Sequence, residues 1–136
     1  MAINPQCNLI AVLGGKGGVG KSVFAANLAA AITMELRTPA LLIDCDTKSV
    51  GDQNIITGLK PLKTLRELAN STQSLNSTPI QQIVTPHPAG FSYLGAVRGP
   101  EEILSVPPDN LAKLVDFCVC SFKFIVVDLG NDIGFM

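Results

Sequence analysis

The sequence predicts an α/β fold in which a parallel β-sheet is flanked by helices. Two unbroken apolar runs, at Asn8–Leu13 and Ala40–Asp44, are typical of strands buried on both faces, as in a parallel sheet. Residues 123–128 form another predicted strand, in which residues 124–127 are all apolar. Segments with helical periodicity lie between the strands, and this alternation predicts parallel pairing with right-handed crossovers. A glycine-rich turn at residues 14–20 joins the first strand to the first helix.

The first helix is predicted over Lys21–Leu36, an alanine-rich segment. Its larger apolar side chains recur four residues apart on one face, at Phe24, Leu28 and Ile32. Residues 46–60 are expected to form a polar, flexible stretch. Thr64 and Glu67 make a capping box, which predicts a short helix that ends at Leu68.

The second half of the sequence predicts a weak helix, a strand, a longer helix and a final strand. The weak helix rests on an apolar cluster at Ile80, Ile83 and Val84. The strands are predicted over residues 91–97 and 123–128. The longer helix opens at Pro107 and Pro108. Its apolar face contains Leu111, Leu114, Val115 and Cys118.

Bulk composition excludes several classes of protein. Hydrophobic residues make up 47% of the 136 and charged residues only 15%, which excludes a disordered chain. A net charge of −1 argues against nonspecific DNA binding by the whole surface. The N-terminus has no basic segment and no apolar run long enough for a signal peptide or membrane span, so we expect a cytoplasmic protein. The four cysteines form no C-x-x-C pair, which favours small apolar residues in a reducing compartment over a metal or redox site.

The glycine-rich turn matches the phosphate-loop pattern G-x-x-x-x-G-K-[ST] over residues 15–22. It follows a buried strand and precedes a helix, as phosphate binding requires. We expect Lys21 to reach the β- and γ-phosphates of ATP and the Ser22 hydroxyl to bind Mg²⁺. The alternative is a glycine-rich structural turn. The predicted nucleotide-binding residues are Gly15, Lys16, Gly17, Gly18, Val19, Gly20, Lys21 and Ser22.

Three acidic residues follow predicted strands at the edge of the sheet where the phosphate loop lies. Asp44 and Asp46 end the second strand, and Asp128 ends the last one. In open α/β sheets, ligands bind at the carboxyl ends of the strands, so these carboxylates suit a Mg²⁺ site. The alternative for Asp128 is a helix cap or turn residue, and for Asp46 a turn residue.

Three segments resemble motifs of the ParA/MinD ATPases. Residues 14–22, GGKGGVGKS, resemble the deviant Walker A motif, whose mark is a second lysine, here Lys16. Residues 41–46, LLIDCD, resemble the D-x-D switch I segment, and residues 124–128, FIVVD, resemble the Walker B strand. Within that family, residues 51–52, 58–61, 65–68 and 99–102 look most like the CpaE/TadZ branch of pilus-assembly ATPases.

The resemblance implies a Mg²⁺-dependent switch ATPase that forms a homodimer with ATP bound. Lys16 of one subunit would reach the phosphates held by the other, and Asp46 would orient the attacking water. Asp44 would support the metal, together with Ser22 and Asp128. The cycle would position a cellular assembly, such as pilus or secretion machinery, from the cytoplasm, the inner membrane or the cell pole.

The resemblance also implies that residues 1–136 are the N-terminal part of a single ATPase domain whose C-terminal half is absent. That half would contain the adenine-recognition segment and any DNA-binding or membrane-binding element. Family sheets continue past the phosphate-loop strand, so Asn8–Leu13 is expected to be an exposed edge here.

Three other functions stay open at this stage. A plasmid-partition, chromosome-partition or division-site ATPase would share the same motifs. A nucleotide-binding scaffold would localise partners without hydrolysing ATP. A ligase or reductase on the same scaffold would need substrate or cluster residues, which the sequence does not display.

Overall fold

The computed structural model describes residues 7–14, 20–45, 52–69, 79–98 and 108–130. Five strands form one sheet: β1 (Asn8–Leu13), β2 (Ala40–Asp44), β3 (Thr85–Pro86), β4 (Ser92–Leu94) and β5 (Phe124–Gly130). The helices are α1 (Lys21–Leu36), α2 (Asp52–Thr57), α3 (Leu65–Ala69) and α4 (Pro108–Val119), with a 3-10 turn at Ile80–Gln82. No helix in these ranges is long and apolar enough to span a membrane.

The strand order is β1-β5-β2-β4-β3, and the predicted parallel α/β sheet is confirmed. β5 pairs in parallel with both β1 and β2, and β2 pairs in parallel with β4. β3 is an unpredicted two-residue strand that pairs antiparallel with β4. Because β5 inserts between β1 and β2, the segment that follows α4 completes the centre of the sheet.

β1 lies at the edge of the sheet, as expected from the resemblance. The expectation that both its faces would be covered is wrong for this chain. Leu9 is 52% exposed and Leu13 43% exposed, whereas Val12 is buried on the α1 side. The reason is geometric. An edge strand has one neighbour, and α1 covers only the face of β1 on which the Val12 side chain lies.

Side chains alternate between two cores on opposite faces of the sheet, as strand geometry requires. Leu41, Ile43, Ile125 and Val127 belong to the core that includes residues of α3 and α4. Ala40, Leu42 and Val126 belong to the core against α1. Both central strands are therefore covered on both faces, which explains why their sequences are continuously apolar.

Helix α1 packs on the sheet through small side chains. Its buried positions are Ala25, Ala26, Ala29 and Ile32. The predicted apolar face is therefore wrong at Phe24, which is 57% exposed beside the open side of β1. Alanines let the helix axis approach the sheet closely, and Phe24 and Leu28 line the open side of β1.

The helices predicted before Leu68 and after Pro107 are confirmed, whereas the weak helix predicted at Ile80, Ile83 and Val84 is only a 3-10 turn at Ile80–Gln82. Thr64 caps α3, because its Oγ1 accepts a hydrogen bond from the Glu67 backbone N–H at 3.2 Å and donates one to Glu67 Oε1 at 3.3 Å. Helix α4 buries Leu114 and Cys118 against the sheet. The expectation that residues 46–60 would be flexible is wrong in part, because α2 forms at Asp52–Thr57 within that stretch.

Candidate functional site

The start of α1 has the geometry that the phosphate-loop pattern requires. Gly20 precedes the helix in the left-handed region, at φ 78° and ψ 16°, and its carbonyl accepts the Phe24 N–H at 2.9 Å. A glycine suits this position because residues with a Cβ are strained at a left-handed φ, even though the surrounding space is open. Among the described residues no side chain caps the helix, and its first turn has no acidic residue, so its N–H groups remain suited to an anion. Residues 15–19 of the predicted loop lie outside the described residues.

Asp44 and Asp128 lie side by side at the carboxyl ends of β2 and β5. They are register partners in the parallel pairing, and the Cys45 N–H donates to the Asp128 carbonyl at 2.8 Å. Both are buried. Their parity places them on the same face as Ala40, Leu42 and Val126, which is the face that α1 covers. Two of the three predicted acidic residues thus meet near α1; Asp46 lies outside the described residues.

The negative charges of the two carboxylates raise the pKa values of neighbouring groups. Burial raises the pKa of the Cys45 thiol, and the charges of Asp44 and Asp128 raise it further. The same three causes, burial first, raise the pKa of the Tyr93 hydroxyl. Two buried carboxylates at neighbouring strand ends make a place that suits a bound cation.

Gln53 connects the acidic pair to the start of α1, and sequence reasoning missed it. Its side-chain Nε2 donates to Asp128 Oδ2 at 3.0 Å and to the Ser22 carbonyl at 2.7 Å. The residue is 1% exposed. No motif marks it, since it lies in the stretch expected to be polar and flexible. The signal available was its place shortly after the D-x-D segment.

Helix α2 is held in place by polar contacts on its inner side. Asn54 Nδ2 donates to the Val97 carbonyl at 2.9 Å, and Tyr93 Oη donates to Asn54 Oδ1 at 2.6 Å. Thr57 Oγ1 donates to the Gln53 carbonyl at 2.7 Å. Gln53 therefore reaches the site from a backbone that is anchored independently to the end of β4.

The residues present fit Mg²⁺ bound beside a phosphate. Oxygen ligands are what Mg²⁺ prefers, and the candidates are the Ser22 hydroxyl and the two buried carboxylates. Ser22 and Asp128 are brought together through their shared contact with Gln53. Within the described ranges, no three His, Cys, Asp or Glu side chains cluster as a metal site, so a cation here would need other ligands such as phosphate and water.

Comparison with known proteins gives a family and several relatives. The model of the CobQ/CobB/MinD/ParA nucleotide binding domain matches residues 10–118. The chain is 30% identical over 129 residues to the antiactivator FleN of Pseudomonas aeruginosa, a match that covers 93% of this chain and 44% of FleN. Asp128 and the rest of β5 follow the range matched by the family model.

Two solved structures show the same fold. A ParA family ATPase from Chlorobium tepidum superimposes with a TM-score of 0.77 at 21% identity, covering 93% of this chain and 52% of that one. The septum site-determining protein MinD of Pyrococcus horikoshii, solved with Mg-ADP, gives 0.74 at 19% identity, covering 95% and 51%. The chain thus spans about half the length of these relatives. It belongs to the CobQ/CobB/MinD/ParA nucleotide-binding domain family.

Proposed function

We propose that this chain is the ATP-binding part of a Mg²⁺-dependent switch ATPase. One observation carries the proposal. The residue pattern of a phosphate loop leads into α1, and Gln53 donates hydrogen bonds both to Ser22 of α1 and to the buried carboxylate of Asp128 on β5. A phosphate site and a cation site then adjoin each other, as Mg-ATP requires. Membership of a nucleotide-binding family supports the same function.

The roles follow from the positions of the side chains. Residues 15–20 would wrap the phosphates with backbone N–H groups, and Lys21 would place its ammonium group on the β- and γ-phosphates. Ser22, Asp44 and Asp128 would hold Mg²⁺, which when bound neutralises phosphate charge. Lys16 is proposed to act across a dimer interface, and Asp46 to orient the attacking water.

The cellular role proposed is the positioning of an assembly by a nucleotide-dependent homodimer. Pilus or secretion machinery is the favoured assembly, because residues 51–52, 58–61 and 65–68 resemble the CpaE/TadZ branch. The fold likeness to ParA and MinD proteins keeps partition and division-site positioning as the alternative. Residues 1–136 are proposed to be the N-terminal part of the ATPase domain.

A second candidate function is that of an antiactivator. The relative from Pseudomonas aeruginosa carries that name and matches 93% of this chain. The chain would then act by opposing an activator. Positioning and antiactivation are distinguished by whether the ATP-bound protein binds an activator or a structural component of an assembly.

Titration calorimetry of ATP in the presence of Mg²⁺ tests the proposed binding. Lys21→Ala should weaken ATP affinity by about tenfold to hundredfold, because a charge-assisted contact to phosphate is worth about 1.5–3 kcal/mol. Lys63→Ala, which removes an exposed lysine between α2 and α3, should leave affinity unchanged. Equal affinities of the parent and Lys21→Ala would sink the phosphate-loop assignment.

Phosphate release by the same proteins separates a hydrolase from a scaffold. The switch ATPase should release phosphate from ATP, and Lys21→Ala should abolish release. A parent that binds Mg-ATP tightly and releases no phosphate would support the non-hydrolysing scaffold.

A further inference from the structure

We propose that Gln53 is a positioning residue of the Mg²⁺ side of this site, a role that rests on the proposed function. Its Nε2 fixes Asp128 relative to the start of α1. Its Oε1 accepts a hydrogen bond from water in the coordination shell of the ion. Gln53 is thus a positioning residue that acts on the ion through Asp128, Ser22 and water.

The orientation of the Gln53 amide is determined by its two partners. Asp128 Oδ2 and the Ser22 carbonyl are both acceptors, at 3.0 and 2.7 Å. Only the NH₂ end of the amide can donate to them, whereas the reversed amide would set an oxygen against two oxygens. Oε1 is therefore directed away from these partners.

Gln53 Oε1 needs a donor from outside the described protein atoms. It is buried, and no group in the described part of the chain donates a hydrogen bond to it. A buried acceptor left without a donor is destabilising, so such an atom usually marks a bound water, ion or ligand. The atom belongs to the same side chain that already contacts Asp128 and Ser22.

The residues around Gln53 indicate which group donates a hydrogen bond to its Oε1. The buried carboxylates Asp44 and Asp128 favour a cation. Mg²⁺ retains several of its waters when it binds proteins, and those waters are strong donors because the ion polarises them. Accepting one of those hydrogen bonds would satisfy Oε1, and partners of this kind orient metal ligands elsewhere.

Hydrogen bonds hold helix α2, and with it Gln53, in a fixed position relative to the sheet. Asn54 binds the Val97 carbonyl and the Tyr93 hydroxyl, and Thr57 binds the Gln53 carbonyl. Asp128 is fixed from the other side by the pairing of β5 with β1 and β2. Gln53 therefore bridges two rigid elements across the place where the cation is expected.

The test compares ATP affinity with Mg²⁺ and with EDTA in the parent, Gln53→Met and Ile55→Ala. Methionine keeps the length of the side chain and loses both polar ends. Gln53→Met should reduce the Mg²⁺-dependent gain in ATP affinity by about tenfold to hundredfold and leave affinity in EDTA unchanged. Ile55 is on the same helix and 80% exposed, so Ile55→Ala should behave as the parent.

The outcomes are distinguishable from failure of the proposed function. A parent that binds no ATP, or gains nothing from Mg²⁺, overturns the proposed function and this inference with it. A parent with a normal Mg²⁺ gain, matched by Gln53→Met, overturns only the inference. Equal weakening of Gln53→Met with and without Mg²⁺ assigns Gln53 a merely structural role and also overturns it.

Gln53→Glu supplies an independent measurement if the methionine variant fails to fold. It keeps an acceptor and sets a carboxylate against Asp128, so the free protein loses stability and a cation relieves the repulsion. The rise in thermal midpoint on adding Mg²⁺ should then exceed that of the parent and of Ile55→Ala. An equal or smaller rise contradicts the placement of Gln53 beside the ion.

Discussion

At the scale of single residues, burial decides chemical behaviour that residue type leaves open. Cys45 and Cys118 are buried and Cys120 is exposed, although all three are thiols of the same intrinsic acidity. Burial raises the pKa of the Cys118 thiol to about 12. Burial also raises the pKa of the Cys45 thiol, and the nearby carboxylates add to that increase. Because the thiolate is the reactive form, these two cysteines should be inert in the folded protein.

Thiol labelling at mildly alkaline pH tests this difference. Cys120 should react with a disulfide reagent first, whereas Cys45 and Cys118 should react only after unfolding, because a raised pKa leaves less thiolate at any pH below it. Mass spectrometry of labelled peptides identifies the sites, and Cys120→Ser should remove the fast phase. Labelling of Cys45 in the native protein at the rate of Cys120 would contradict the burial of this strand end.

At the scale of elements, α2 has polar residues on its inner side and an apolar residue exposed, the reverse of an ordinary surface helix. Its polar residues Gln53 and Asn54 make the inner contacts, whereas Ile55 is 80% exposed. Hydrophobic periodicity identifies helices by their apolar inner face, so it gives no signal for this one. The same reversal places an amide beside Asp128, where an apolar side chain would have made no hydrogen bond.

The inner side of α2 is packed tightly against the end of β4 at Gly95. A Cβ there would lie 3.0 Å from Tyr93 Oη, 3.1 Å from Asn54 Oδ1 and 3.2 Å from Pro61 Cγ. Gly95→Ala should therefore lower the free energy of unfolding by about 1–3 kcal/mol, as expected for overpacking. Urea denaturation measures this loss.

A second substitution identifies the group that is crowded. Tyr93→Phe removes the hydroxyl that donates to Asn54, so the added cost of Gly95→Ala should fall in that background. An unchanged cost in the double mutant would place the strain elsewhere than at Tyr93 Oη.

At the scale of the whole molecule, the sheet is unequally protected. β2 and β5 are covered on both faces and have neighbours on both sides, whereas β1 is an edge with Leu9 and Leu13 exposed. Phe24 and Leu28 of α1 line an open groove along that edge, with a cavity of about 490 Å³. Exposed strand edges with apolar side chains promote association between chains.

Self-association of the chain should therefore depend on β1. Sedimentation analysis should show association that increases with concentration, and Leu13→Lys should reduce it, because a charge on an edge strand opposes pairing. Met34→Lys, a change at an exposed residue of α1, is the matched control and should leave association unchanged. A parent that remains monomeric at the highest concentration tested contradicts this expectation.

The sequence by itself determined the parallel α/β class, the bounds of β1, α1 and β2, and the capping of α3, because each depends on local periodicity or spacing. It also predicted the acidic residues at the strand ends, since parallel strands bring such residues to one edge. Tertiary structure alone decided that Phe24 faces outward and that Gln53 joins Asp128 to Ser22. Those features arise from contacts between residues distant in sequence, which no local pattern records.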